Sequence, residues 1–138
     1  MGKPNRVAVI LSAILLLGVL PCAASTGPYD IKGVDAGQFK QILDRHKDDP
    51  DVVLLDIRTP AEFASGHIAG AIPVDYYARD FVDRLERLDR SKTYLIYCRS
   101  GNRSGRSLAI FEKLGFRRAY HLETGIRGWI AERFPLVR

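Results

Sequence analysis

A chain of 138 residues, 46% hydrophobic and 27% charged, has the length of one domain and the composition of a folded globular protein. It carries no low-complexity tract and no repeat at a solenoid period, which excludes a disordered tail or a repeat array. The net charge of +5 is modest, and the Arg-rich stretch after position 79 lacks the interleaved aromatic residues of a single-strand binder, so no nucleic-acid partner is expected.

Residues 1–24 read as a secretory signal peptide. Met1 to Arg6 is a short cationic region, Val7 to Leu20 is an unbroken apolar or small run, and Pro21 breaks it before the small residues Ala23, Ala24 and Ser25. The run is shorter than the ~20 residues a membrane span needs. A retained anchor and a lipid on Cys22 are the alternatives, and Pro21 directly before Cys22 fits lipidation poorly. Cleavage predicts an exported, periplasmic protein with no membrane attachment and a charge of 5 − 2 = +3 once Lys3 and Arg6 are lost. It also leaves one thiol, Cys98. A lone Cys in an oxidising compartment is a liability for a purely structural residue, so Cys98 needs a functional reason.

Residues 25–34 read as a linker and a first strand, with the folded domain spanning 29–138. Asp35 with Gln38 three residues on forms a capping box, and Phe39, Ile42 and Leu43 follow at helical spacing. Val52 to Leu55 is a continuous apolar run between Asp51 and Asp56, the pattern of a strand covered on both faces. Thr59, Pro60 and Glu62 start a short helix as N-cap, first helical residue and closing box, which accounts for Glu62 by capping alone. Ala71 to Val74 is a short strand that Pro73 consigns to an edge. Phe81, Val82, Leu85 and Leu88 then give an amphipathic helix. Tyr94 to Tyr97 is a buried strand leading straight into Cys98. Beyond it lie a helix with Leu108, Phe111 and Leu114 on one face, a stop at Gly115, a strand over Ala119 to Leu122, and a last helix from Ile126 to Phe134. Strand and helix alternate throughout, so the fold class is α/β, a three-layer arrangement with a mainly parallel central sheet and helices on both faces.

Cys98, Arg99, Ser100, Gly101, Asn102, Arg103 and Ser104 occupy a strand-to-helix junction, where parallel α/β folds place their sites. The helix start offers unpaired N–H groups and partial positive charge, which favour an anion such as a thiolate. Arg99 and Arg103 add full charges, and all of these lower a Cys pKa. Gly101 and Asn102 can take left-handed conformations that let successive amides converge. The competing reading, a strand-end Cys packed as a small hydrophobe, does not explain six polar or Gly residues in a row. Arg103 at a helix start opposes the dipole, so a bound anion explains it better than solvent does. Asp56 and Arg58 sit at a strand end and are expected to pair or cap, with a supporting role at most. His67 could face the loop, though a hydrogen-bonded structural role fits better, and Trp129 reads as core. With His46, His67 and His121 scattered, no metal site and no cofactor are suggested.

The segment Cys98–Ser104 resembles the active-site loop of the rhodanese family. Asp56 to Phe63, then Gly66-His67-Ile68 and Gly70 to Pro73, resemble that family's upstream signature, and Gly115-Phe116, Thr124-Gly125 and Gly128-Trp129 its closing motif. Thr124 departs from a Gly-Gly pair common there, which puts the backbone of that turn in question. The resemblance implies a small exported single-domain sulfurtransferase. Cys98 would take sulfur from an anionic donor such as thiosulfate as a persulfide and pass it to cyanide, a small thiol or a protein acceptor, with residues 99–104 binding the substrate. Two other readings compete: a partner-binding or sulfur-sensing module, and a Cys-dependent phosphatase or arsenate reductase. Phosphatases related to the family place five residues between Cys and Arg. Here there are four, position 104 is Ser, and Tyr97 stands where many phosphatases have His.

Overall fold

Residues 29–138 are described by the computed structural model, and the expected signal peptide and the linker at 25–28 lie outside the described residues. The elements run β1 (Asp30–Val34), α1 (Ala36–Arg45), β2 (Val52–Asp56), α2 (Pro60–Ala64), β3 (Ile72–Pro73), α3 (Phe81–Glu86), β4 (Thr93–Tyr97), α4 (Asn102–Lys113), β5 (Arg118–Leu122) and α5 (Gly125–Ala131). Every strand pairing is parallel, in the order β1-β5-β4-β2-β3, so β3 is an edge as Pro73 requires. Both expected capping boxes are present, Asp35 with Gln38 and Thr59 with Glu62.

The period of 2 along each strand divides the core in two. Leu55 and Ile57 of the β2 segment and Tyr94, Ile96 and Cys98 of the β4 segment face α3 and α4, meeting Phe81, Leu85 and Phe111. Leu54, Leu95 and Tyr97 face the other way, against Phe39 of α1 and Trp129 of α5. Tyr94, Phe111 and Phe116 pack ring to ring at 4.7–5.8 Å between centroids on the first face. Such pairs add about 0.5–1.5 kcal/mol each beyond their area. β4 is central, and its residues 94–97 are all buried. It is therefore the most rigid support available for whatever follows it.

Two expectations need correction at helix ends. Val82 is 41% exposed rather than part of the buried stripe, because α3 has only six residues and Phe81 and Leu85, one turn apart, already fill its inner face. The last helix stops at Ala131, not Phe134: Arg133 turns left-handed (φ 57°), which folds Phe134 back onto Trp129 at 4.9 Å. The Trp129 indole N–H then donates to Pro135 O at 2.9 Å.

Asp56 and Arg58 pair inside the protein, at 0% and 5% exposure. Arg58 Nε donates to Asp56 Oδ1 at 2.9 Å and Nη2 to Oδ2 at 2.7 Å, while the Arg58 amide caps the same carboxylate at 2.9 Å. Nη2 also donates to Gly66 O at 2.7 Å, and Tyr97 Oη accepts from the Ile68 amide at 3.1 Å. Together these bonds tie the ends of β2 and β4 to the 66–68 loop. Removing one member of a buried pair strands the other charge, at a cost of about 3–5 kcal/mol. Arg58→Met should therefore lose that much stability in urea unfolding. A loss below about 1 kcal/mol would show that water or another cation compensates Asp56.

Candidate active site

Cys98 is the first residue after β4, continuing its alternation so that the side chain points to the α4 face. The thiol is fully buried. What separates it from a packed hydrophobe is its bonding: the Gly101 amide donates to Sγ at 3.1 Å and the Ser104 hydroxyl lies 3.5 Å from Sγ. Burial pushes the Cys98 thiol up. The Ser104 hydroxyl and the amides of Ser104, Ser100 and Gly101 favour the thiolate, and these bonds win, leaving the thiol below its ordinary value.

The loop can aim those amides inward because its carbonyls are held elsewhere. The Ile126 amide donates to Cys98 O at 2.8 Å and the Arg127 amide to Arg99 O at 3.2 Å, using N–H groups that the first turn of α5 leaves unpaired. This contact requires two residues without Cβ. A Cβ on Gly101 (φ +93°) would meet Glu123 O at 1.8 Å, and one on Gly125 (φ +60°) would meet Arg99 C at 2.4 Å. Thr124, the departure noted in the sequence, has ordinary φ −92°; Gly125 alone carries the left-handed turn. Asn102 does not take a left-handed conformation either. It is the first residue of α4, so Gly101 as N-cap supplies the whole reversal.

The other loop residues divide by exposure. Arg99, Ser100 and Asn102 face solvent. Arg103 already holds an anion, and that anion belongs to the chain: Nη1 donates to Glu62 Oε2 at 2.8 Å and Nη2 to Oε1 at 2.7 Å. Glu62 is thus more than a cap, joining α2 to α4, a contact that capping spacing could not reveal. The guanidinium also lies 5.4 Å from the centre of the exposed Tyr77 ring. His67 takes the structural role, stacked on Phe63 at 3.8 Å with Nδ1 3.2 Å from Phe63 O. Asp56 and Arg58, at the end of the strand next to the loop, bond to each other, and Arg58 also donates to Gly66 O. His121, passed over as scattered, lies with Nδ1 3.2 Å from Ser104 Oγ. The signal for it was strand register: His121 pairs with Ile96, two residues before Cys98 and on the same face.

Among the described residues, no group of three or more His, Cys, Asp and Glu side chains is placed to hold a metal ion. A cavity of about 420 Å³ opens on the α1–α5 face between Leu43, Leu54, Ile68 and Trp129, and none of residues 98–104 lines it.

The Arg103 guanidinium holds the Glu62 carboxyl down to about 2 from 4.5, against burial and with help from the Thr59 amide. A lowered carboxylate stabilises the fold above its unfolded pKa and loses that contribution as pH falls through the folded one. Glu62→Gln should therefore cost about 1–2 kcal/mol at neutral pH, allowing for partial exposure, and remove that part of the acid sensitivity. Urea midpoints for both proteins should converge as pH falls from 4.5 to about 2. A constant gap across that window would mean that the Gln variant fails for some reason other than charge.

Residues 39–132 match the Rhodanese-like domain family. A sulfurtransferase of Allochromatium vinosum is 35% identical over 107 residues, covering 78% of this chain and 95% of that protein. YibN of Escherichia coli K12, an uncharacterised protein, is 29% identical over 127 residues, covering 90% of this chain and 85% of its own. The crystal structure of a rhodanese-related protein from Thermoplasma volcanium superposes with a TM-score of 0.64 at 28% identity, covering 77% of this chain and 97% of that one. The family match runs from Phe39 in α1 to Glu132 just after α5, and so takes in both segments that shape the Cys98 loop: this chain belongs to the rhodanese-like family.

Proposed function

We propose that this protein moves a sulfane sulfur from an anionic donor such as thiosulfate to cyanide or a thiol, carrying it as a persulfide on Cys98. The Cys98 thiolate attacks the outer sulfur of thiosulfate. A new S–S bond forms, the donor's S–S bond breaks, and sulfite leaves with its electron pair. The acceptor thiolate or cyanide then attacks the outer sulfur of the persulfide, and Cys98 departs as the thiolate. Both forms of Cys98 are anions, and fixed donors that stabilise one also stabilise the other. The observation that carries this reading is the Gly101 amide aimed at Sγ from 3.1 Å, beneath a loop whose carbonyls point away.

A specific contact also favours sulfur over phosphate. A phosphate-cradling loop needs a guanidinium free to grip two phosphoryl oxygens. Arg103 spends both of its Nη groups on Glu62. Thiocyanate release from thiosulfate and cyanide should therefore exceed phosphate release from an aryl phosphate. Cys98→Ser should stay folded and lose sulfur transfer. Intact mass should show the wild-type chain gaining about 32 Da, one sulfur atom, on exposure to thiosulfate, and the variant gaining nothing. Cys98-dependent phosphatase turnover above sulfur transfer would reverse the assignment, and silence in both assays would favour a binding module.

We further propose that the activity is exported, on the support of the cationic start, the apolar run and the small residues up to Ser25. N-terminal sequencing from the exporting cell should begin near Ser25 or Thr26. An intact Met1 would remove this part of the proposal.

A further inference from the structure

Ser104 has one hydroxyl hydrogen and three neighbours able to accept it. Cys98 Sγ lies at 3.5 Å, Gly101 O at 3.2 Å and His121 Nδ1 at 3.2 Å. A hydroxyl donates once and accepts twice, so a partner that donates to it no longer competes for its hydrogen. Gly101 O and a thiolate can only accept. His121 can do either, depending on whether Nδ1 carries a proton. With a bare Nδ1 it competes with the sulfur for the hydrogen. With Nδ1–H it fills a lone pair on Ser104 Oγ and withdraws from that competition.

The packing around His121 is arranged for this contact. α4 carries Gly105 in its interior, where Gly costs up to about 1 kcal/mol relative to Ala. An added Cβ there would stand 3.3 Å from the His121 Cε1, so the missing side chain lets the ring pack close without crowding. On the sheet side His121 registers with Ile96 of β4 and Gly33 of β1, neither of which is charged. Glu123 is two residues on, and its charge favours the imidazolium, while burial pushes His121 below its ordinary value. Lys32 lies over the Tyr120 ring and Asp30 accepts from the Tyr120 hydroxyl, on the opposite face of β5. Arg103 is turned away toward Glu62. The Leu122 backbone also bonds the imidazole, and Ser104 and, through it, Cys98 lie beyond it.

We propose that His121 is a positioning residue for Cys98, donating Nδ1–H to Ser104 Oγ and so leaving the Ser104 hydroxyl hydrogen to the sulfur and Gly101 O alone. This rests on the sulfur-transfer reading for its purpose, since the same hydroxyl would then support the thiolate that attacks the donor and the thiolate that leaves. The geometry itself stands without that reading.

The test is a pH titration of Cys98 in the full chain. Ultraviolet thiolate absorbance is read as the difference between each chain and its Cys98→Ser counterpart. His121→Phe fills the site without a donor and Ser104→Ala removes the intermediary. Each should lower the thiolate-to-thiol ratio near the wild-type midpoint about three- to tenfold, the effect of losing one hydrogen bond. His121→Asn places an amide N–H near the Nδ1 position and should restore most of the wild-type midpoint. It cannot titrate, so the second inflection expected in the wild-type curve below the usual histidine range should vanish. The Ser104→Ala/His121→Phe double variant should fall no further than Ser104→Ala alone. An unshifted His121→Phe midpoint, an Asn variant that falls as far as Phe, or multiplying effects in the double variant would each overturn the assignment. Should the Phe variant not fold, His121→Gln, whose amide reaches past the Nδ1 position, takes its place. The titration uses no sulfur donor, so a wild-type chain that fails to load sulfur counts against sulfur transfer and leaves this result readable.

Discussion

The bond from the Ile126 amide to the Cys98 carbonyl fixes the direction of every other group in the loop. Once the carbonyls of Cys98 and Arg99 are drawn toward α5, the amides of Ser100 and Gly101 face the thiol. The same bond satisfies a helix N-terminus that has no side-chain cap on Thr124. Structure and site thus use one set of atoms, and the two close glycine approaches follow from it. A side chain at Gly101 or Gly125 would push apart the segments whose contact shapes the Cys98 loop.

The sheet keeps two kinds of polar chemistry apart. The buried Asp56–Arg58 pair is shielded from the thiol by its own bonds and serves to hold the 66–68 loop. On the α4 side, the thiol meets amides and one hydroxyl, and that hydroxyl in turn meets an imidazole. Arg103 contributes through Glu62, which fastens the start of α4 to α2 across 41 residues of sequence. The loop is held at both ends, by α5 behind Cys98 and by α2 ahead of Ser104.

Most of this was legible from residue pattern. Continuous apolar runs gave β2 and β4, Thr59-Pro60 and Asp35 gave helix starts, and Cys98 was singled out by the polar stretch after it. What pattern could not supply were contacts between segments distant in the chain. Glu62 looked complete because a capping box explains it locally, and its second partner lies in α4. His121 looked isolated because its neighbours come through strand register and through the gap at Gly105. Asn102 was offered a left-handed role on propensity, yet one such residue suffices, and Gly101 takes it at lower steric cost. The shortened α5 depended on Phe134 returning to Trp129, a packing choice made by the tertiary structure.

The thiol's acidity comes chiefly from neutral dipoles sealed beneath the loop, while Arg99 stands in solvent. Mobile ions screen exposed charges over a Debye length of about 8–10 Å but scarcely touch buried donors. Ionic strength therefore acts on the exposed charge of Arg99 at the mouth of the loop and leaves the acidity of the sulfur itself almost untouched.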